Sequence, residues 1–143
     1  MRRPFVLLVE DEDDIRELAA SILREANYDV LATLNGDVAL ILLQEAALPI
    51  DLLLTDIVMP GEHDGFALAR EAKKLRPDIK ILYMTGFAGV AKIRSQGAPF
   101  GDVLQKPWRM DDLLQSVQAA LRVSELHGQN ERSSLAARAA REE

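Results

Sequence analysis

Asp51-Leu52-Leu53-Leu54-Thr55-Asp56-Ile57-Val58-Met59-Pro60 is a short apolar run that stops at a carboxylate and then at a proline. Leucines without polar alternation suit a strand covered by helices on both faces, as in a parallel sheet. Pro60 ends the run because proline has no N–H to give to a ladder. An aspartate where such a strand gives way to loop stands at the carboxyl edge of the sheet, where open α/β folds place their chemistry. Asp56 is therefore a site candidate. On this segment alone a plainer reading, a residue that ends a strand or caps the next helix, stands level with it.

The whole chain narrows the choice. Its 143 residues suffice for one domain with a substantial core, and 48% hydrophobic with 28% charged residues describes an ordinary globular chain. No apolar run is long enough to span a membrane. Met1-Arg2-Arg3-Pro4 leads straight into a short apolar strand, without the longer apolar region and cleavage site of a signal peptide, so a cytoplasmic location is expected. The absence of cysteine removes disulfides, thiolate metal sites and thiol nucleophiles. A net charge of −6 argues against nucleic acid as a direct partner.

Taken in order, Pro4 to Val9 repeats the pattern of the Asp56 strand and ends in Glu10-Asp11-Glu12-Asp13-Asp14. Glu12, Asp13 and Asp14 read as solvated or helix-capping acids. Glu10 and Asp11 follow the strand directly and would project from the same edge as Asp56. Ile15, Leu18, Ala19, Ile22, Leu23 and Ala26 give a first helix its apolar spacing. A second strand over Val30 to Thr33 and a second helix from about Val38 to Ala47, closed by Pro49, precede the Asp56 strand. A loop at Gly61 to Gly65 leads to a helix through Phe66 and Leu75, stopped by Pro77. Ile79 to Met84 is a fourth strand, ending at Thr85. A short helix over Ala88 to Ser95, a brief strand at Val103-Leu104 ending in Gln105-Lys106-Pro107, and a last helix over Met110 to Val123 complete the pattern. Strands alternating with helices predict a parallel, doubly wound α/β sheet with right-handed crossovers.

Glu10, Asp11, Asp56, Thr85 and Lys106 thus come together at one edge. Singly, each has a bland reading: solvated acid, turn residue or surface charge. Jointly, they follow four different strands at the carboxyl end of one sheet. Three carboxylates so close repel one another and call for a cation, and Mg²⁺, a hard ion that prefers oxygen, suits them. A metal, an ammonium and a hydroxyl around a carboxylate are the equipment for phosphoryl transfer, with Asp56 as nucleophile and Thr85 and Lys106 meeting the phosphoryl oxygens.

Over roughly Phe5 to Val123 the chain resembles the response-regulator receiver domain of bacterial two-component signalling. The motifs are Val-Glu-Asp-Glu after the first strand, Leu-Leu-Thr-Asp-Ile-Val-Met-Pro around Asp56, Met-Thr-Gly at 84–86 and Gln-Lys-Pro at 105–107. The resemblance implies a flavodoxin-like five-stranded (βα)5 sheet of order 2-1-3-4-5. It implies that Asp56 accepts a phosphoryl group from a phosphohistidine on a sensor histidine kinase or phosphotransfer protein. It further implies Mg²⁺ held by Asp11, Asp56 and the Val58 carbonyl, with Glu10 acting through water, and a cis Lys106-Pro107 peptide. On this reading the protein is a phosphoacceptor with self-catalysed phosphorylation and dephosphorylation, not otherwise an enzyme. It would signal through altered protein contacts with a downstream target or serve as a phosphate sink.

Some positions depart from the family. Glu10 stands where Asp is commoner, the loop at 61–65 is one residue longer, and His63 within it reads as a surface loop residue. Val103 replaces the Tyr or Phe usual three residues before the lysine, so the inward swing of that ring is lost. Phe100 and Trp108 are the aromatic candidates for another route, against the plain reading that both pack. Residues 1–124 are read as the receiver domain and 125–143 as a tail of helical composition with Gly128 breaking the last helix and no output domain. Such a tail either frays or docks on a second subunit as a homodimer.

Three rivals remain. A Mg²⁺-dependent phosphohydrolase with an aspartyl nucleophile commonly carries a second acid two residues on, where Val58 stands. A nucleotide or flavin module wants a phosphate-cradling loop after the first strand, and Glu10 to Asp14 would repel phosphate. A degenerate receiver that binds partners without phosphorylation is opposed by Asp11, Asp56, Thr85 and Lys106 and kept open by Val103.

Overall fold

The computed structural model describes residues 2–129, with side-chain surroundings up to residue 122. The first element, β1 (Phe5–Val9), is followed by α1 (Asp13–Glu25), β2 (Asp29–Thr33), α2 (Gly36–Leu43), β3 (Leu52–Asp56) and α3 (Gly65–Leu75). The second half continues with β4 (Lys80–Thr85), α4 (Phe87–Gln96), β5 (Gly101–Gln105) and α5 (Met110–Gln129). All four strand pairings are parallel and the order is β2-β1-β3-β4-β5. The predicted doubly wound sheet is therefore present, with its topological switch between β1 and β3.

Strand geometry explains why the apolar runs do not alternate. Successive side chains point to opposite faces, and here both faces are covered. Leu7, Val9, Leu53, Ile81 and Tyr83 pack with Ala39 and Leu43 of α2 and with Phe66, Leu68, Ala69 and Ala72 of α3. Val6, Leu8, Leu52, Leu54, Leu82 and Met84 pack with Ala19, Ala20 and Leu23 of α1 and Leu113 and Val117 of α5. All five residues of β3 are buried, as its unbroken apolar sequence requires.

Several local expectations are corrected. Asp13 and Asp14 lie in the first turn of α1, and Glu12 is the N-cap residue with no side-chain capping bond. Leu18, expected on the buried stripe, is 54% exposed while Ala20 is buried, because the sheet meets α1 on its Ala19-Ala20-Leu23 side. α2 ends at Leu43 and not at Ala47. Its last carbonyl is met from across the fold: Arg76 donates to the Leu43 carbonyl at 3.1 Å, and also to the carbonyls of Glu45 at 2.7 Å and Leu48 at 2.5 Å in the loop beyond the helix. The Leu43 carbonyl is one that a helix end leaves without a partner in the helix. α5 runs through Gly128 to Gln129, so Gly128 does not break it; an interior glycine costs a helix about 1 kcal/mol relative to alanine, a penalty and not a stop. The rest of the expected tail, residues 130–143, lies outside the described residues. Among the described residues no helix is long and apolar enough to cross a membrane.

Candidate phosphoryl-acceptor site

The sheet delivers the site residues one strand at a time. Glu10 and Asp11 follow β1, Asp56 is the last residue of β3, Thr85 is the last of β4, and Lys106 follows β5. Val58 lies in the turn two residues beyond Asp56, with 48% of its surface exposed. The β3–α3 connection is held tight by Gly65, whose N–H donates to the Ile57 carbonyl at 2.7 Å. Asp64 caps α3 by accepting from the Ala67 N–H at 2.8 Å.

Glu10 is fully buried and Asp56 is 6% exposed, whereas Asp11 opens to solvent. One carboxylate oxygen from each lies within 4.8 Å of the others. Lys106 Nζ stands 2.8 Å from Glu10 Oε1 and 3.0 Å from each Asp56 oxygen. The contact to Glu10 is an ion pair without hydrogen-bond alignment, which leaves Oε1 a buried oxygen with no aligned donor. Glu10 Oε2 accepts from the Glu12 N–H at 3.1 Å.

These charges act on one another. Burial first, then the neighbouring Glu10 carboxylate, push the Asp56 carboxyl up to about 7, against the opposing pull of Lys106. Burial would lower the Lys106 ammonium, but Glu10 and Asp56 together carry it above its ordinary value. The two directions agree once charge is counted: two buried carboxylates share one ammonium, so the cation gains and the buried Asp56 acid loses. An all-oxygen donor set carrying excess negative charge, with a buried oxygen lacking an aligned donor, fits a hard divalent cation.

Thr85 reaches the edge as expected, but its hydroxyl donates to the Gly86 carbonyl at 3.0 Å and makes no hydrogen bond to Asp56 or Lys106. The Lys106-Pro107 peptide is cis. His63 is more than a loop residue: its Nδ1 lies 2.9 Å from Asp37 Oδ1, tying the β3–α3 loop to the first turn of α2. That contact holds the Asp37 carboxyl below its usual value.

Val103 and Trp108 do not share a layer. Val103 packs with the α2–α3 cluster and Trp108 against the α1–α5 cluster, while Phe100 is 55% exposed with Lys73 Nζ 6.0 Å from its ring. The aromatic beside Val103 is Tyr83, its partner in the β4–β5 register. Tyr83 is fully buried, meets Phe66 edge to face and donates its hydroxyl to the Pro99 carbonyl at 2.7 Å. Burial raises its phenol well above the ordinary value. Sequence reasoning passed over it because Tyr83 sits inside an apolar strand run and reads as core.

The arrangement of acids, hydroxyl and lysine has relatives. The family model for the response regulator receiver domain matches residues 6–118. The response regulator receiver protein CpdR of Brucella abortus is 44% identical over 117 residues, covering 81% of this chain and 95% of that protein. The sensor kinase CckA of the same organism is 38% identical over 118 residues, again over 81% of this chain but only 12% of the kinase. A crystal structure of a response regulator receiver protein from Sinorhizobium medicae superposes with a TM-score of 0.77 at 30% identity, over 85% of this chain and 97% of that one. Carboxylates after β1 and at the end of β3, a hydroxyl ending β4 and a lysine after β5, on a sheet of this order, thus occur in a chain that belongs to the response regulator receiver domain family.

Proposed function

We propose that this protein is a phosphoacceptor of two-component signalling in which Asp56 takes a phosphoryl group from a phosphohistidine. The observation that carries the reading is the buried Asp56 carboxylate with Lys106 Nζ 3.0 Å from both of its oxygens. An Asp56 oxygen attacks phosphorus as the P–N bond to histidine breaks, leaving an acyl phosphate on Asp56 and the electron pair on the imidazole. Lys106 meets the negative charge that the group brings, and Thr85 supplies a hydroxyl donor. Glu10, Asp11, Asp56 and the Val58 carbonyl would hold Mg²⁺, which when bound supplies positive charge to carboxylates and phosphoryl oxygens alike. Attack of water on phosphorus breaks the P–O bond to Asp56, releasing inorganic phosphate and the free carboxylate, and the same residues would serve this self-catalysed dephosphorylation.

The donor is a sensor histidine kinase or a histidine phosphotransfer protein, a partner class supported by the likeness to CckA. The receiver domain acts on its own in the cytoplasm, changing its contacts with a downstream protein or draining phosphoryl groups from the donor. Similarity to CpdR along most of its length supports the stand-alone reading. Incubation with Mg²⁺ and acetyl phosphate, followed by intact mass beside Asp56→Asn, tests the chemistry. The expected result is a metal-dependent gain of one phosphoryl group that the variant lacks. No gain from that donor or from a phosphorylated kinase domain would replace this reading with a phosphorylation-independent binding module.

A further inference from the structure

Thr85 carries a hydroxyl that the proposed chemistry needs at Asp56, yet the hydroxyl is bonded elsewhere, to the Gly86 carbonyl. One helical turn onward lies the reason it fits there. Gly89 is the one buried residue of α4. A Cβ placed on it would overlap Thr85 Oγ1 far inside contact distance, while lying 3.1 Å from Thr85 Cβ and 3.5 Å from Ile57 Cβ. The Ile57 contact is ordinary, and the Cβ contact asks for a shift of a few tenths of an ångström. Only the hydroxyl forbids a side chain at 89, and the one rotation about the Thr85 Cα–Cβ bond that brings the Cβ hydrogen, not the γ-methyl, into its place would remove that obstruction. A glycine inside a helix is unfavourable and calls for a packing reason. Here the reason is a hydroxyl seated where a methyl would be.

We propose that Gly89 is a positioning residue for Thr85: its missing side chain forms a socket that parks the hydroxyl against α4, and presenting that hydroxyl to a phosphoryl group on Asp56 empties the socket. The proposal rests on the reading of Asp56 as phosphoacceptor. Two poses of one side chain form a two-state equilibrium, and a ligand that needs the minor pose binds more weakly by the fraction in which that pose occurs. A methyl at 89 removes the parked pose and so lifts that penalty. The socket also joins the site to α4, whose Lys92 pairs with Asp64 at the start of α3.

The test uses Gly89→Ala and, as a second variant with the same obstruction, Gly89→Ser. Three-bond couplings of the Thr85 γ-methyl in the full chain, without metal or donor, report its rotamer. The wild type is expected to hold one rotamer and the variants another; an unchanged rotamer in a folded variant overturns the proposal. Beryllium fluoride with Mg²⁺, a mimic of the phosphoryl group, is then titrated and followed by amide shifts. Gly89→Ala is expected to bind it up to about tenfold more tightly if the parked pose holds about nine-tenths of the population. The gain should vanish when Thr85→Ala is added. An equal gain in both backgrounds would overturn the proposal, because alanine also raises the helix propensity of α4. Wild-type protein that binds no mimic and takes no phosphoryl group would sink the phosphoacceptor reading, while the rotamer comparison would still decide the socket.

Discussion

Lys106 Nζ stands 3.0 Å from each carboxylate oxygen of Asp56 and 2.8 Å from Glu10 Oε1, with 14% of its side chain exposed. One ammonium thus serves two buried carboxylates from two strands. Breaking a buried ion pair by removing one partner costs about 3–5 kcal/mol when the other charge stays stranded. Asp56, already pushed up to about 7, can take a proton and escape part of that cost. Lys106→Ala is therefore expected to lose on the order of 2 kcal/mol of stability at pH 7 in chelator-treated protein, measured by urea unfolding. Mg²⁺ should restore part of the loss, and phosphorylation by acetyl phosphate should fall sharply.

The raised Asp56 carboxyl gives a pH dependence of opposite sign to the usual aspartate. In the folded, metal-free protein burial and the Glu10 carboxylate push the Asp56 carboxyl up to about 7, from 3.8 for the unaffected group. Between those values the native state binds more protons than the unfolded state, so stability falls as pH rises from about 4 to 7. Asp56→Asn removes the buried charge and leaves Glu10 and Lys106 as a simple pair. The variant is expected to be more stable than wild type at pH 8 by on the order of 2 kcal/mol, with the difference closing toward pH 4. Melting curves in chelator across that range test this; a wild type that outlasts the variant at pH 8 contradicts it. The stabilisation by Mg²⁺ should likewise be larger at pH 8 than at pH 5, since protons compete for the same oxygen.

Arg76 joins the end of α3 to the end of α2 through the carbonyls of Leu43, Glu45 and Leu48. Hydrogen bonds from a charged donor contribute about 1.5–3 kcal/mol each where water cannot replace them. Here exposure of the segment lets water replace some of them, and Arg76→Ala is expected to cost about 2–3 kcal/mol in total. Amide exchange should quicken over residues 43–48 while phosphorylation of Asp56 persists. Loss of phosphorylation in a variant that remains folded would show that this staple reaches the site.

What the sequence made legible follows from locality. The strands could be read because each is a short apolar run closed by a polar residue, and the four strand ends then placed Glu10, Asp11, Asp56, Thr85 and Lys106 on one edge before any contact was known. Features built from distant residues stayed hidden. Arg76 meets its carbonyls at separations of 28 to 33 residues, and no periodicity marks such a pairing. Leu18 belongs to the helical spacing yet faces out, because the stripe of α1 is wider than the surface the sheet offers. Tyr83 and Gly89 sit in segments that read as plain strand and weak helix, and their roles emerge only from what lies across from them: Pro99 and Val103 for the one, the Thr85 hydroxyl for the other.

Gly65 sets the first turn of α3 tightly against the end of the strand that delivers Asp56. A Cβ there would overlap the Asp56 carbonyl oxygen and lie 2.8 Å from the Ile57 Cα, both backbone atoms with no rotamer to yield. The contrast with Gly89 is physical: at 89 the obstruction is a hydroxyl that can rotate, and at 65 it is the chain itself. Gly65→Ala must therefore push α3 away from the end of β3, breaking the bond from the Gly65 N–H to the Ile57 carbonyl. Overpacking of this kind costs about 1–3 kcal/mol or more. The variant is expected to melt lower and, where still folded, to bind Mg²⁺ more weakly, because the displaced turn carries Asp56 and the Val58 carbonyl. Metal titration followed by amide shifts checks this. Wild-type affinity in a folded Gly65→Ala protein would mean that the turn tolerates the shift and that metal binding does not depend on this close approach.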